Sequence, residues 1–116
     1  MPNIIKKNCY NGFYEVTIMT DEVIKNVFIT NKIYKNIDVR LLIKIIFLLK
    51  NNKFQNLDYL QIFKIKNNTL THKQEVPFIF TEYSLEEKFD NIEIWTIQNK
   101  DILNKDYWTI LYPDEY

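Results

Sequence analysis

The stretch "THKQE", Thr71 to Glu75, carries the chain's only histidine, His72, with Gln74 two residues on and Glu75 three residues on. An imidazole beside a carboxylate is a common general base, because its ordinary pKa lies near neutrality and an acidic partner fixes its tautomer. The spacing argues against that pairing here. On a strand, side chains alternate between faces, so His72 and Gln74 share one face while Lys73 and Glu75 share the other. A partner for His72 has to come from the neighbouring strand, where Asp58 and Tyr59 are within reach across the hairpin. No glycine-rich phosphate loop and no nucleophile elbow accompanies it, and one cysteine with one histidine cannot make a zinc site. The expectation is a hydrogen-bonded structural or interface histidine, with no catalytic residue, no metal and no cofactor.

The elements that hold this stretch follow from periodicity. "NIIKKNCY" and "FYEVTIM" flank Asn11-Gly12, a strong signal for a type I′ hairpin turn, and Tyr14, Val16 and Ile18 alternate with Glu15 and Thr17 as in a half-buried strand. "NVFITNKIYKNI" reads as a further strand from its β-branched and aromatic content. From Asp38 the period becomes helical. Leu41, Leu42, Ile45, Leu48 and Leu49 recur at three- and four-residue spacing, Arg40, Lys44 and Asn51 form a polar stripe, and Asn36 or Asp38 can cap the start. Phe47 falls on the polar stripe, where it is either an exposed contact for a partner or a ring covered by the N-terminal hairpin.

Farther on, "DYLQIFKIK" and "TLTHKQEV" flank Asn67-Asn68 as a hairpin whose turn uses asparagine, and Pro77 ends or edges the second arm. "PFIFTEYSLEEKFDN" reads as a connection, and "IEIWTIQ" and "YWTILY" as two strands joined by "NKDILNKD". The fold class expected from these pieces is α+β. One main helix packs on an antiparallel sheet of five or more strands, with an N-terminal β-hairpin over residues 1–26 added to a core over 27–116, all in a single domain.

Composition narrows the partners. A chain of 116 residues with 47 % apolar side chains has enough material for one core. There are 18 Ile, 14 Asn and 14 Lys against one Arg, one Gly and no Ala, a bias toward residues with A/T-rich codons. With glycine nearly absent, asparagine is left to supply the positive-φ positions. Cys9 is alone, which forbids an internal disulfide and fits a reducing compartment. The N-terminus lacks an apolar run of signal-peptide length, and Leu41–Leu49 is about half the ~20 residues of a membrane span and contains Lys44. These features point to a cytoplasmic protein without a membrane segment. Net charge is zero, yet residues 1–53 carry nine basic and four acidic side chains and residues 54–116 carry six basic and eleven acidic, a split of +5 and −5. The zero total removes most of the nonspecific attraction for nucleic acid, and the split can orient a partner.

Three stretches resemble a bacterial family catalogued as domain of unknown function 960: "DYLQIF" at Asp58–Phe63, "HKQEVP" at His72–Pro77 and the terminal "WTILYPDEY". Their order and spacing carry the resemblance over residues 27–116, and "FIT" before the helix resembles the family's opening strand. The helix here is more aliphatic than the pattern, Asp114 stands where glutamate is more usual, and residues 1–26 have no counterpart. The resemblance implies an α+β domain of unassigned activity, often carried on plasmids and phage-derived elements, and it names no catalytic residue.

The leading expectation is a non-enzymatic module that binds a protein partner, in its sharpest form an anti-defence inhibitor occluding a larger host protein. The contact residues expected are Phe47, Tyr59, Gln61, His72, Gln74, Glu75, Tyr112, Asp114, Glu115 and Tyr116, with the Tyr116 ring packed back on the domain. A nucleic-acid-binding regulator using the basic half is the alternative, and an enzyme centred on His72 the third.

Overall fold

The computed structural model describes residues 3–8, 12–50 and 58–116. Eight strands form one sheet: β1 (Asn3–Asn8), β2 (Phe13–Met19), β3 (Val23–Thr30), β4 (Leu60–Lys66), β5 (Thr69–Gln74), β6 (Ile79–Ser84), β7 (Ile92–Lys100) and β8 (Asp106–Leu111). Their spatial order is β1-β2-β3-β8-β7-β4-β5-β6. Two antiparallel blocks meet at one parallel seam, where Val27, Phe28 and Ile29 of β3 lie beside Trp108, Thr109 and Ile110 of β8. Two short helices, α1 (Asn31–Asn36) and α2 (Val39–Lys50), follow β3, and a 3₁₀ turn over Pro113–Glu115 follows β8.

This corrects the expected fold class. The sheet is mixed and eight-stranded with two short helices, in place of one main helix on an antiparallel sheet of five or more strands. Three physical causes account for the difference. A parallel seam joins segments far apart in the chain, so no local pattern announces it. Inside "NVFITNKIYKNI", the Thr30 hydroxyl accepts a hydrogen bond from the Ile33 amide at 3.2 Å, which caps α1 and ends the strand at Thr30. Finally, "IFTEYS", read as part of a connection, pairs with β5 along its full length from Gln74↔Ile79 to Thr69↔Ser84.

Asparagine does serve in place of glycine. Among the described residues the non-glycine positions with positive φ are Asn26, Asn67, Asn68 and Asn104, at φ 66°, 51°, 60° and 62°. Asn67-Asn68 closes the β4–β5 hairpin, and Asn26 sits where the β2–β3 register shifts between Val16 and Ile18. Gly12 has φ 77°. Its expected turn partner Asn11, together with Cys9 and Asn51, lies outside the described residues.

The core occupies one face of the sheet. Val16 and Ile18 of β2, Val27 and Ile29 of β3, Trp108 and Ile110 of β8, Ile94 of β7, Phe63 and Ile65 of β4 and Leu70 of β5 are buried in one cluster with Ile33 of α1 and Leu41, Leu42, Ile45, Ile46 and Leu49 of α2. The helix therefore shows the apolar stripe expected of a surface helix laid on a sheet. Truncating one of its central members, such as Ile45 to Ala, costs ~2–5 kcal/mol in comparable cores.

Asp38 starts α2: its Oδ1 accepts from the Arg40 amide at 2.9 Å and its carbonyl from the Leu42 amide at 3.0 Å. Phe47 is half-buried against the core and borders a groove with residues 20–26 and Lys50. Among the described residues, no helix is long and apolar enough to cross a membrane.

Candidate partner-binding surface

His72 and its neighbours form a buried polar chain. The register puts Phe63 opposite His72, and the imidazole stacks on that ring at 4.2 Å between centroids and 19° between planes. His72 Nε2 lies 2.7 Å from Gln61 Oε1, so the nitrogen carries the proton and donates. Gln61 Nε2 then donates to Gln74 Oε1 at 3.0 Å and to the Asp58 carbonyl at 2.8 Å, while Gln74 Nε2 donates to the Pro77 carbonyl at 2.9 Å. The Asp58 amide completes the ring of contacts at Gln74 Oε1, 3.2 Å away. Gln61 and Gln74 are fully buried and His72 is 4 % exposed. Burial disfavours the imidazolium and pushes the His72 pKa down to about 4. Among the described residues no buried side-chain polar atom lacks a partner, as a buried network requires.

What this chain of amides positions is backbone. It ties the residue that opens β4, Asp58, to the β5–β6 turn at Pro77, and the Asp58 carboxylate adds hydrogen bonds from the Tyr59 amide at 2.9 Å and the Val76 amide at 3.3 Å. Of the expected contact residues, Gln61, His72 and Gln74 are thus scaffold beneath the surface. Tyr59 and Glu75 stand exposed above them.

The last residues are pinned. Glu115 Oε1 accepts from the Thr30 hydroxyl at 2.8 Å and from the Tyr112 amide at 3.0 Å, and Asp114 pairs with Lys32 at 2.7 Å. That pair lowers the Asp114 pKa and raises that of Lys32, through the hydrogen bond between them. The Lys32 ammonium also lies 5.4 Å from the centre of the Tyr112 ring, which is partly buried. Tyr116 meets Trp95 edge-on at 5.6 Å, and its side chain is hydrogen-bonded to that of Tyr59, which raises the Tyr59 pKa. Tyr59, Glu75 and Tyr116 therefore gather at one end of the sheet, Tyr112, Asp114 and Glu115 bind back to β3 and α1, and Phe47 lies apart on α2.

Sequence reasoning passed over the opposite face of the sheet. Leu111, Trp95, Ile62, Lys73 and Phe80 line up across β8, β7, β4, β5 and β6, and Phe28, Thr109, Ile97 and Leu60 form the adjacent row. None of these joins the cluster that the helices bury. Phe28 and Tyr107 contact edge-on at 5.5 Å, and together with Phe13, Ile102 and Thr109 they line a cleft of about 560 Å³. Ile102 and Leu103, at the tip of the β7–β8 connection, are exposed. The signal was present as alternation: Ile92 and Ile94 point to one face of β7 and Trp95 and Ile97 to the other, so both faces carry apolar side chains, which marks a strand with something to meet on each side. Among the described residues, no three metal-ligating side chains come together. Comparison with family models, curated proteins and solved structures finds no match to this chain.

Proposed function

We propose that the chain is a non-enzymatic binding module of the cytoplasm that occupies the surface of a larger protein through the face of its sheet opposite the two helices. The observation that carries this reading is the apolar and aromatic belt of Phe13, Phe28, Trp95, Ile97, Tyr107 and Phe80 on the face to which neither helix contributes its buried side chains. Phe13 and Phe80 are exposed and Phe28, Trp95, Ile97 and Tyr107 half-buried, and rigid aromatic side chains suit interface centres. The buried His72–Gln61–Gln74 chain supports a scaffolding role for the histidine. Occlusion of a larger host-defence protein is the sharpest form of this function.

Affinity capture from the cells that make the protein tests it, using wild type and Phe28→Asp. Recovery of one protein in stoichiometric amount with wild type, lost with the variant and stable in moderate salt, is the expected result. Recovery of nucleic acid alone would refute it.

A second reading has its own observation. Aromatic rings on an open sheet face are the platform on which single-stranded nucleic acids stack, and Lys64 and Lys73 share that face. Binding of that kind collapses steeply as salt rises, whereas a packed protein interface weakens less.

A further inference from the structure

The sheet ends in two unlike edges. At one, β1 carries Lys6 and Lys7 side by side in mid-strand, Lys7 in register with Glu15 and Lys6 4.8 Å from the centre of the Tyr34 ring. Lysine on an outer strand is a common obstacle to further pairing. At the other, β6 runs Ile79–Ser84 without a lysine or a proline, and the strand and the turn before it present large apolar groups: Val76 and Phe78 of the turn and Phe80 of the strand are 73 %, 62 % and 48 % exposed. Among the described residues β6 pairs on one side with β5 and has no strand on the other. One edge is guarded and the other is not.

We propose that β6 accepts a ninth strand, an extended segment of a partner protein that is mostly apolar and carries a lysine or arginine opposite Glu82. The inference deepens the binding-module reading and rests on it. Backbone pairing supplies the attachment, as in other strand additions to an open sheet edge, and the side chains of β6 dictate what the incoming strand carries. Phe80 and Glu82 point to the uncovered face, beside Lys73 and Thr71 of β5, so the positions opposite them take an apolar and a cationic side chain. On the other face Ile79 and Tyr83 are half-buried and ask for apolar cover. Glu82 is the only charged residue of β6, and exposed Glu75 and Glu86 lie in the segments on either side of the strand. A second copy of this chain is a poor occupant: an antiparallel self-pairing that engages most of β6 sets two Glu82 side chains as near cross-strand neighbours, and like charges there repel. β6 thus places the partner next to Phe80, at the margin of the open face.

A library of random dodecapeptides displayed on phage, selected on the full chain, tests this. The expected sequences are mostly apolar, with a basic residue two positions from an apolar one. The best of them, synthesised, slows amide hydrogen exchange along 79–84 and leaves 3–8 unchanged. Methylating every second backbone nitrogen of that peptide abolishes binding, and Glu82→Lys weakens it by about tenfold while Glu82→Gln weakens it less.

Four results would overturn the assignment. They are equal binding of the methylated peptide, selected peptides without basic residues, shifts confined to Trp95, Ile97 and Tyr107, and sedimentation showing a dimer paired through β6. The third leaves the binding-module reading intact. A library that enriches nothing counts against both.

Discussion

Lowering the pH from neutrality selectively destabilises this fold through His72. In the unfolded chain the imidazole has its ordinary value of 6.5, and in the folded protein burial holds it at about 4. The folded state thus resists a proton that the unfolded state takes up, so stability is complete above 6.5 and is lost as pH falls toward 4. The hydrogen bond to Gln61 does not oppose this, because Nε2 donates in both the neutral and the charged ring. What the charged ring lacks is water, with Phe63 stacked on its face and only 4 % of the residue exposed.

Linkage with these two values gives a loss of ~2 kcal/mol at pH 5 and ~3 kcal/mol at pH 4, a large share of the 5–15 kcal/mol typical of a domain. The control is His72→Gln, whose amide nitrogen reaches close to the position of Nε2 and does not titrate. Urea unfolding of both proteins across this range isolates the histidine, because the carboxylates that also titrate near pH 4 are common to both. The wild-type curve should fall away from that of the variant below pH 6.5. Curves that stay parallel to pH 4, or an imidazole that titrates near 6.5 by proton NMR in the folded protein, would refute the reasoning.

Replacing either glutamine of the buried chain by leucine leaves partners unsatisfied, so Gln61→Leu and Gln74→Leu should each cost ~1–3 kcal/mol in urea unfolding. The double variant should cost less than their sum, because the two share a hydrogen bond. The two turn asparagines should respond differently to glycine. Asn67→Gly keeps the positive φ and is expected to be neutral, whereas Asn68→Gly loses three contacts, from its Nδ2 to the Leu85 and Glu87 carbonyls and from the Phe89 amide to its Oδ1, and should lower the melting temperature. Arg40→Lys should quicken amide exchange over residues 85–89 with little change in global stability. The guanidinium spans Asp38 and Glu87 at once and lies 4.9 Å from the centre of the Phe89 ring, a fork that an ammonium cannot reproduce.

Elements set by local chemistry could be read before the structure was known. The 3.6-residue period of α2, the cap at Asp38, the Asn-Asn turn and the sharing of one face by His72 and Gln74 each depend on residues a few positions apart, and each is found where the sequence puts it. The polarity of the chain gave the wrong weight elsewhere. "IFTEYS" carries a glutamate and three hydroxyls among its apolar residues, the composition of an edge strand, and so reads as a connection. "NKIYKN" has strand-like residues, yet a single threonine hydroxyl turns it into a helix. The parallel seam, the open face and the buried amide chain all depend on which strands become neighbours, and that follows from closing the whole sheet.

The charge split gains its meaning from that seam. Residues with the basic excess form β1 to β3 and both helices, residues with the acidic excess form β4 to β8, and the boundary between them runs across the sheet at β3 and β8. Two ion pairs cross it, Lys32 with Asp114 and Arg40 with Glu87, and all four side chains are well exposed. Exposed pairs contribute little to stability. Most of the remaining basic charge is carried by the helical segment, since residues 1–30 hold three basic and three acidic side chains, while Glu75, Glu82 and Glu86 leave the open β6 edge acidic. A cationic segment approaching this protein is steered toward the acidic edge that can pair with it.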